Sequence, residues 1–329
     1  MKNILLLGYV VVTLLECSSC ASPQPEEDYG WLKSAIDTSV RQLEETVADI
    51  GDSVLLPRSI WTGYDIDFLC SQLQQNPMTF KDSLRVKPVT EVLGTRRYCT
   101  SIYDWTSGFF PGNLWLIYQI TGKENLKDAA IHFTNFLYPV RKYKGTHDIG
   151  FMMNCSYGNA YRLAPADSVR QALIQTADNL CGRFDSKIGC IRSWDFGRWN
   201  FPVIIDNMMN LDLLFYVYRL TGNPQYKEIA LQHARVTQQH QFREDYSSYH
   251  VVSYNDDRSV EEKCTHQGKN DDSAWARGQA WGVYGYTSCY RESKNTLFLQ
   301  QAKNIAAMIM DRVKTEDLIP LWDYDAPDT

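Results

Sequence analysis

What this 329-residue chain lacks narrows its chemistry before any motif is read. It has no cluster of Lys and Arg, and its net charge is -6. Nucleic-acid recognition rests on phosphate neutralisation, so that partner class is excluded, while an anionic ligand still fits where a few cations are local. Of the nine cysteines, seven follow Cys20, at 70, 99, 155, 181, 190, 264 and 289, and no two of these seven form a CxxC pair. A zinc site or a disulfide scaffold is therefore not expected, although Cys181 and Cys190 are near enough in sequence to bridge in an oxidising compartment. There is no HExxH helix, no phosphate-cradling glycine loop and no Ser-His-Asp order. The glycines of GQAWGVYG follow no strand and make no dinucleotide fingerprint. No metal or cofactor is implied, and no obligate protein partner is evident.

The longest apolar run, Ile4 to Leu15, is too short to span a bilayer as a helix. Behind one Lys and ahead of small residues, it reads as an export signal over residues 1–20, followed by a polar tether at 21–30. Cys20, preceded by two serines, is the better candidate for lipidation than Cys17. The expected location is thus periplasmic, or at a membrane through a lipid anchor. Residues 31–329 are expected to form a single domain, 44% hydrophobic residues overall being ordinary for a soluble globule. Nine Trp and twenty Tyr make a high aromatic share, and their flat apolar faces with polar edges suit sugars as well as large cores.

A helical repeat organises the middle of the chain. LWLIYQITGKENLKDAAIHFTNFL (114–137) aligns with LLFYVYRLTGNPQYKEIALQHARVT (213–237). Each has an apolar helix, a Thr-Gly stop, a short polar turn and a second, amphipathic helix, so Gly122 and Gly222 should end helices. Looser copies occupy 159–180 and 282–313, and residues 31–50 predict an earlier helix. Four stacked helical hairpins follow, each unable to bury its face alone, in an all-α fold. Long segments rich in Gly, Trp, Asn and Asp (85–107, 140–150, 185–206 and 241–274) each lead into a first helix, and loops of that length are usually functional.

Each first helix opens next to an aspartate: Asp104, Asp148, Asp206 and Asp272. Taken singly, such an acid reads equally as a cap for the orphan amides of a helix start. Asp206 follows the apolar FPVII, where desolvation should raise its pKa as a general acid requires, and Asp148, beside His147, supplies a like charge that holds the proton. The same loops offer His250, His266 and Gln267 as polar groups, Arg277 for a carboxylate, and Trp105, Trp194 and Trp281 as stacking surfaces. A pair of carboxylates is the chemistry these residues leave.

The stretches DWTSGFFPGNLWLIYQITG, HDIGFM, IIDNMMNLDLLF, EDYSSYHVVSYND, THQGKNDDSAWARGQAWGVYG and LWDYDAP, in order from about residue 100, resemble the unsaturated glucuronyl hydrolases, family 88 of the glycoside hydrolases. The resemblance implies a ring of six helical hairpins, the (α/α)6 barrel. It also implies removal of a 4,5-unsaturated uronic acid from the non-reducing end of lyase-generated glycosaminoglycan oligosaccharides. In that chemistry an acid protonates C4 of the enol ether, water adds at C5, and the hemiketal collapses. By motif, Asp206 resembles the general acid and base and Asp148 its partner. His147, Trp105, Trp194, His250, Gln267, Arg277 and Trp281 resemble the substrate-binding set. Four hairpins of ~40 residues with one early helix do not complete six, so the ring is expected to lack its C-terminal helices and to expose an apolar seam. The alternatives are an unsaturated rhamnogalacturonyl hydrolase acting on pectin fragments, or an inactive carbohydrate-binding remnant. Arg192, Arg198 and Lys269 read as solvated surface or as contacts to sulfate.

Overall fold

The computed structural model describes residues 30–51, 55–62, 87–92 and 95–327, so the segment expected as an export signal and nearly all of the expected tether lie outside the described residues. The chain divides into two compact units, Met1–Gln42 and Leu43–Thr329. Helix α1 (Gly30–Ile50) begins in the first and ends in the second. Among the described residues no helix is long and apolar enough to cross a membrane.

The second unit is built on four hairpins. The first pairs α2 (Phe109–Thr121) with α3 (Glu124–Phe136). The next joins α4 (Ile149–Met153), a π turn over Asn154–Gly158 and α5 (Asn159–Leu163) to α6 (Asp167–Cys181). The last two pair α7 (Asn207–Thr221) with α8 (Pro224–His240) and α9 (Ala276–Ser293) with α10 (Thr296–Arg312). The apolar first helices bury most of their surface. Trp115 and Leu114 are almost wholly enclosed, each gaining ~1.5–3 kcal/mol from burial, and the Trp115 indole donates to Thr134 Oγ1 across the first hairpin at 2.9 Å.

Three hairpins share one turn. Gly122 (φ 68°) and Gly222 (φ 74°) stop α2 and α7 in the left-handed conformation that glycine adopts at little cost, whereas Lys294 (φ 59°) takes that position after α9. The preceding hydroxyls of Thr121, Thr221 and Ser293 accept from the amides of Lys123, Asn223 and Asn295. Asn223 and Asn295 then cap the next helix, accepting from Gln225 and Leu297 at 3.1 and 3.0 Å. The second hairpin differs. Its first helix starts at Ile149, ten residues before the sequence copy, because the π turn breaks the apolar period.

Successive first helices approach with their backbones nearly touching. A Cβ on Gly108 would collide with the Met152 carbonyl, and one on Gly285 would meet the Cβ of Met208 and, at 2.7 Å, its carbonyl oxygen. Only glycine fits at these two contacts, which bring the residue before α2 against Met152 at the end of α4 and set α7 against α9.

Before and between the hairpins the described residues contain short antiparallel strands that the all-helical expectation passed over. β1 (Leu56–Thr62), β2 (Lys87–Val92) and β3 (Thr95–Thr100) pair in the order β1-β3-β2. β4 (Phe184–Asp185) pairs with β5 (Cys190–Ile191). β6 (Pro202–Ile204), β7 (Val251–Tyr254) and β8 (Val260–Cys264) form a third sheet. Cys181 and Cys190 are free thiols and do not bridge.

Candidate active site

Asp148 and Asp206 occupy the N-cap positions of α4 and α7, yet neither carboxylate caps its helix. Both backbones are already right-handed (φ -60°, ψ -16° and φ -55°, ψ -27°), whereas a capping side chain folds back from an extended residue. The capping role that the sequence left open for these acids is therefore not taken up by Asp148 or Asp206. The Phe151 amide is served instead by Asn210 Oδ1 at 2.9 Å, which leaves Asp148 available to other partners. The other two entrance acids do not lie at helix starts. Asp104 accepts from the amide and hydroxyl of Thr106 and pairs with Arg58 at 3.3 Å, while α9 starts from Trp275, three residues beyond Asp272.

Asp148 and Asp206 belong to touching helices. Gly150 lies so close to α7 that an added Cβ would stand 2.5 Å from Asn210 Oδ1. Asn210 completes the link, its Nδ2 lying 3.4 Å from Nδ1 of the buried His147. With Nδ1 accepting, the His147 proton sits on Nε2 and donates to Asp148 Oδ1 at 3.1 Å. Thr146 Oγ1 donates to the other carboxylate oxygen at 3.0 Å.

Asp206 has no such support. Its Oδ2 is fully enclosed without a hydrogen-bond partner, although the side chain keeps 13% of its surface open. Burial pushes its carboxyl up to about 7, and the charge of Asp148 adds to the rise, against the pull of His147 and Arg277. The nearest histidine is His250, whose Nε2 lies 3.8 Å from Asp206 Oδ2. Pairing of Ile204 with Val251, and the Ile205 amide on the His250 carbonyl at 3.1 Å, bring the two residues to the same end of the β6–β7 ladder. The amides of His266 and Gln267 donate to His250 Nδ1 at 2.9 and 3.1 Å, so its proton is on Nε2, toward Asp206. Burial, with the neighbouring His266, Arg277 and His147, lowers His250 to about 3 and keeps it neutral.

The remaining candidates join this centre through direct contacts. Arg277 Nη2 donates to Gln267 Oε1 at 2.7 Å, and its guanidinium lies 5.2 Å from the Trp105 ring and 4.5 Å from Trp275. Trp105 meets Phe151 edge-on at 6.2 Å, and Phe151 stacks on Trp281 at 6.4 Å. Trp194 bridges to Thr146 and lies 6.2 Å from His250. The indole nitrogens of Trp194 and Trp281 are buried and unpaired. Together these groups offer a carboxyl that keeps its proton up to about neutral pH, a second carboxylate, a neutral N–H donor, a cation and aromatic faces, which suits proton transfer to an anionic ligand.

A model of glycosyl hydrolase family 88 matches residues 88–316, well over half of the chain. The chain belongs to glycoside hydrolase family 88. A second model, of a domain of unknown function, matches residues 1–75. An unsaturated glucuronyl hydrolase of Formosa agariphila is 44% identical over 230 residues, covering 68% of this chain and 58% of that protein. Its counterpart in Bacillus sp. strain GL1 is 34% identical over 235 residues, covering 68% of this chain and 61% of that protein. The chain thus spans about three fifths of the length of either relative. The crystal structure of an unsaturated glucuronyl hydrolase specific for heparin superposes with a TM-score of 0.76 and 41% identity over 91% of this chain and 72% of the other.

Within this family 88 site, sequence reasoning passed over Asn210 and Phe196. Asn210 had a signal, since it follows Asp206 by four residues on α7 and so shares its face. Phe196 had none, since only the loop geometry brings it to the site; it is 57% exposed and stacks on Trp194 at 4.8 Å. The three cations considered for sulfate are all engaged by protein groups. Arg198 pairs with Glu262 at 2.8 Å, Arg192 with Asp195 at 3.3 Å, and Lys269 Nζ donates to the Asp325 carbonyl at 2.6 Å.

Proposed function

We propose that the protein removes the 4,5-unsaturated uronic acid from the non-reducing end of glycosaminoglycan oligosaccharides made by polysaccharide lyases. The observation that carries the reading is Asp206, a buried carboxyl raised to about 7 beside a second acid and a neutral His N–H. In the proposed reaction neutral Asp206 gives its proton to C4 of the enol ether, and positive charge develops at C5 and the ring oxygen. The resulting carboxylate takes a proton from the water that attacks C5. The C5 hemiketal then collapses, breaking the bond from C5 to the ring oxygen and leaving a C5 ketone, and the hemiacetal so formed at C1 expels the leaving sugar as an aldehyde forms. General acid–base help of this kind is worth roughly 10²–10⁴-fold. Asp148, oriented by His147 and Thr146, faces the developing positive charge, and Arg277 holds the uronate carboxylate in a fork.

Because a solved relative at 41% identity is specific for heparin, heparin-derived unsaturated disaccharides are the first substrates to offer. Turnover is read as loss of the ultraviolet absorbance of the conjugated double bond. In heavy water, deuterium must enter C4 of the product; label absent from C4 would overturn the mechanism, since ordinary glycosidic cleavage leaves that carbon untouched. Export with lipid attachment at Cys20 is part of the proposal and rests on the apolar stretch Ile4 to Leu15. Fatty-acid labelling that persists unchanged in Cys20→Ala would remove that part.

A further inference from the structure

Asp323, in the LWDYDAP stretch, is wholly buried, and its hydrogen-bond partners are neutral. Oδ2 accepts from the Lys269 amide at 2.8 Å and from Ser273 Oγ at 2.7 Å, while Oδ1 accepts from the Asp325 amide at 3.0 Å. A carboxylate taken out of water is costly, and its donors are correspondingly tied to it.

Two of those donors, Lys269 and Ser273, belong to one loop, residues 265–273. At one end the Thr265 amide donates to Asp271 Oδ1 and the Gly268 amide to Thr265 Oγ1, both at 2.8 Å. At the other end Trp275 and Asp323 form a β-bridge, closed by Ala276 N on the Trp322 carbonyl at 3.1 Å and Tyr324 N on the Ala274 carbonyl at 3.0 Å. Asp323 fills the throat between these ends, so tightly that a Cβ on Gly268 would stand 3.1 Å from its Oδ2. The loop so held carries the His266 and Gln267 amides that grip His250 Nδ1, and the Gln267 side chain that accepts from Arg277.

We propose that Asp323 is a positioning residue, which holds loop 265–273 in the shape that keeps the His250 proton on Nε2 and sets Gln267 against Arg277. The role assigned to that loop rests on the function proposed above; the geometry does not. Asp323→Ala, and the milder Ser273→Ala should the first fail to fold, test it in the full chain. In either variant the His266 and Gln267 amides should exchange about tenfold or more faster, relative to core amides such as that of Leu214. The ring nitrogen shifts of His250 should show the second tautomer. KM for the lyase-made disaccharide should rise about tenfold or more for Asp323→Ala, with Asp323→Asn, which keeps one acceptor oxygen, in between. A fall in melting temperature with loop exchange, tautomer and KM unchanged would overturn the proposal, because a plug with only a structural role gives that result. If the wild-type protein has no turnover, the functional reading fails, while exchange and tautomer still decide the role of Asp323.

Discussion

Asp206→Asn should make the protein more stable, and increasingly so as pH rises. The side chain has an ordinary pKa of 3.8 in the unfolded chain and one of about 7 in the folded protein, with burial as the main cause. Between those values the folded state binds a proton that the unfolded state has released, so stability falls as pH rises. The stabilising contribution is complete below about pH 4 and gone above about pH 7. Each pH unit of the gap is worth 1.36 kcal/mol, so the ionised acid costs the native state at most ~4 kcal/mol at pH 8. Asparagine has the same shape without the charge and escapes that cost. Urea unfolding of both proteins at pH 4, 6 and 8 should give a difference near zero at the lowest pH that grows to a few kcal/mol at the highest. Activity should move oppositely, with the variant inactive throughout and the wild-type rate falling as pH passes about 7. A stability difference that does not change with pH would refute the argument, since it would show that Asp206 titrates alike in both states.

Other perturbations test separate parts of the structure. Arg277→Lys loses both the guanidinium fork and its contacts with Trp105 and Trp275, and should raise KM roughly 10- to 100-fold with a smaller change in kcat; steady-state kinetics returning an unchanged KM would remove Arg277 from the carboxylate site. Lys294→Gly should gain about 0.5–1 kcal/mol in chemical denaturation, because Lys294 holds the left-handed position that Gly122 and Gly222 hold elsewhere. Gly285→Ala should lose ~1–3 kcal/mol or more as its methyl meets Met208, and an unaltered unfolding midpoint would mean that α7 and α9 are less tightly apposed.

The hairpins were legible because Thr-Gly stops and apolar periods are local signals, and three of the four turns use one pattern of hydroxyl, left-handed residue and extended cap. The start of the second hairpin was hidden because an extra residue in the π turn shifts the period that sequence reading follows. The acids at the entrances of α4 and α7 could be found, but not which way their carboxylates point, since that depends on φ and ψ at a single residue. Pairings made across distant loops, such as the His266 and Gln267 amides on His250 or Asn210 between His147 and Phe151, leave no periodic trace. The β6–β7–β8 sheet was read as irregular because its strands are three to five residues long and interrupt a chain whose signals are otherwise helical.

The π turn at Asn154–Gly158 has a geometric effect beyond spoiling a pattern. One surplus residue in a helix advances everything after it by about 100° around the axis. The segment before it packs on α7 and carries Asp148 toward Asp206, whereas the segment after it packs on α2 and leads into α6. The two ends of one rod are thereby aimed independently, and excising a single residue from 154–158 would swing the acid away from its counterpart while leaving the rod's length and composition almost unchanged.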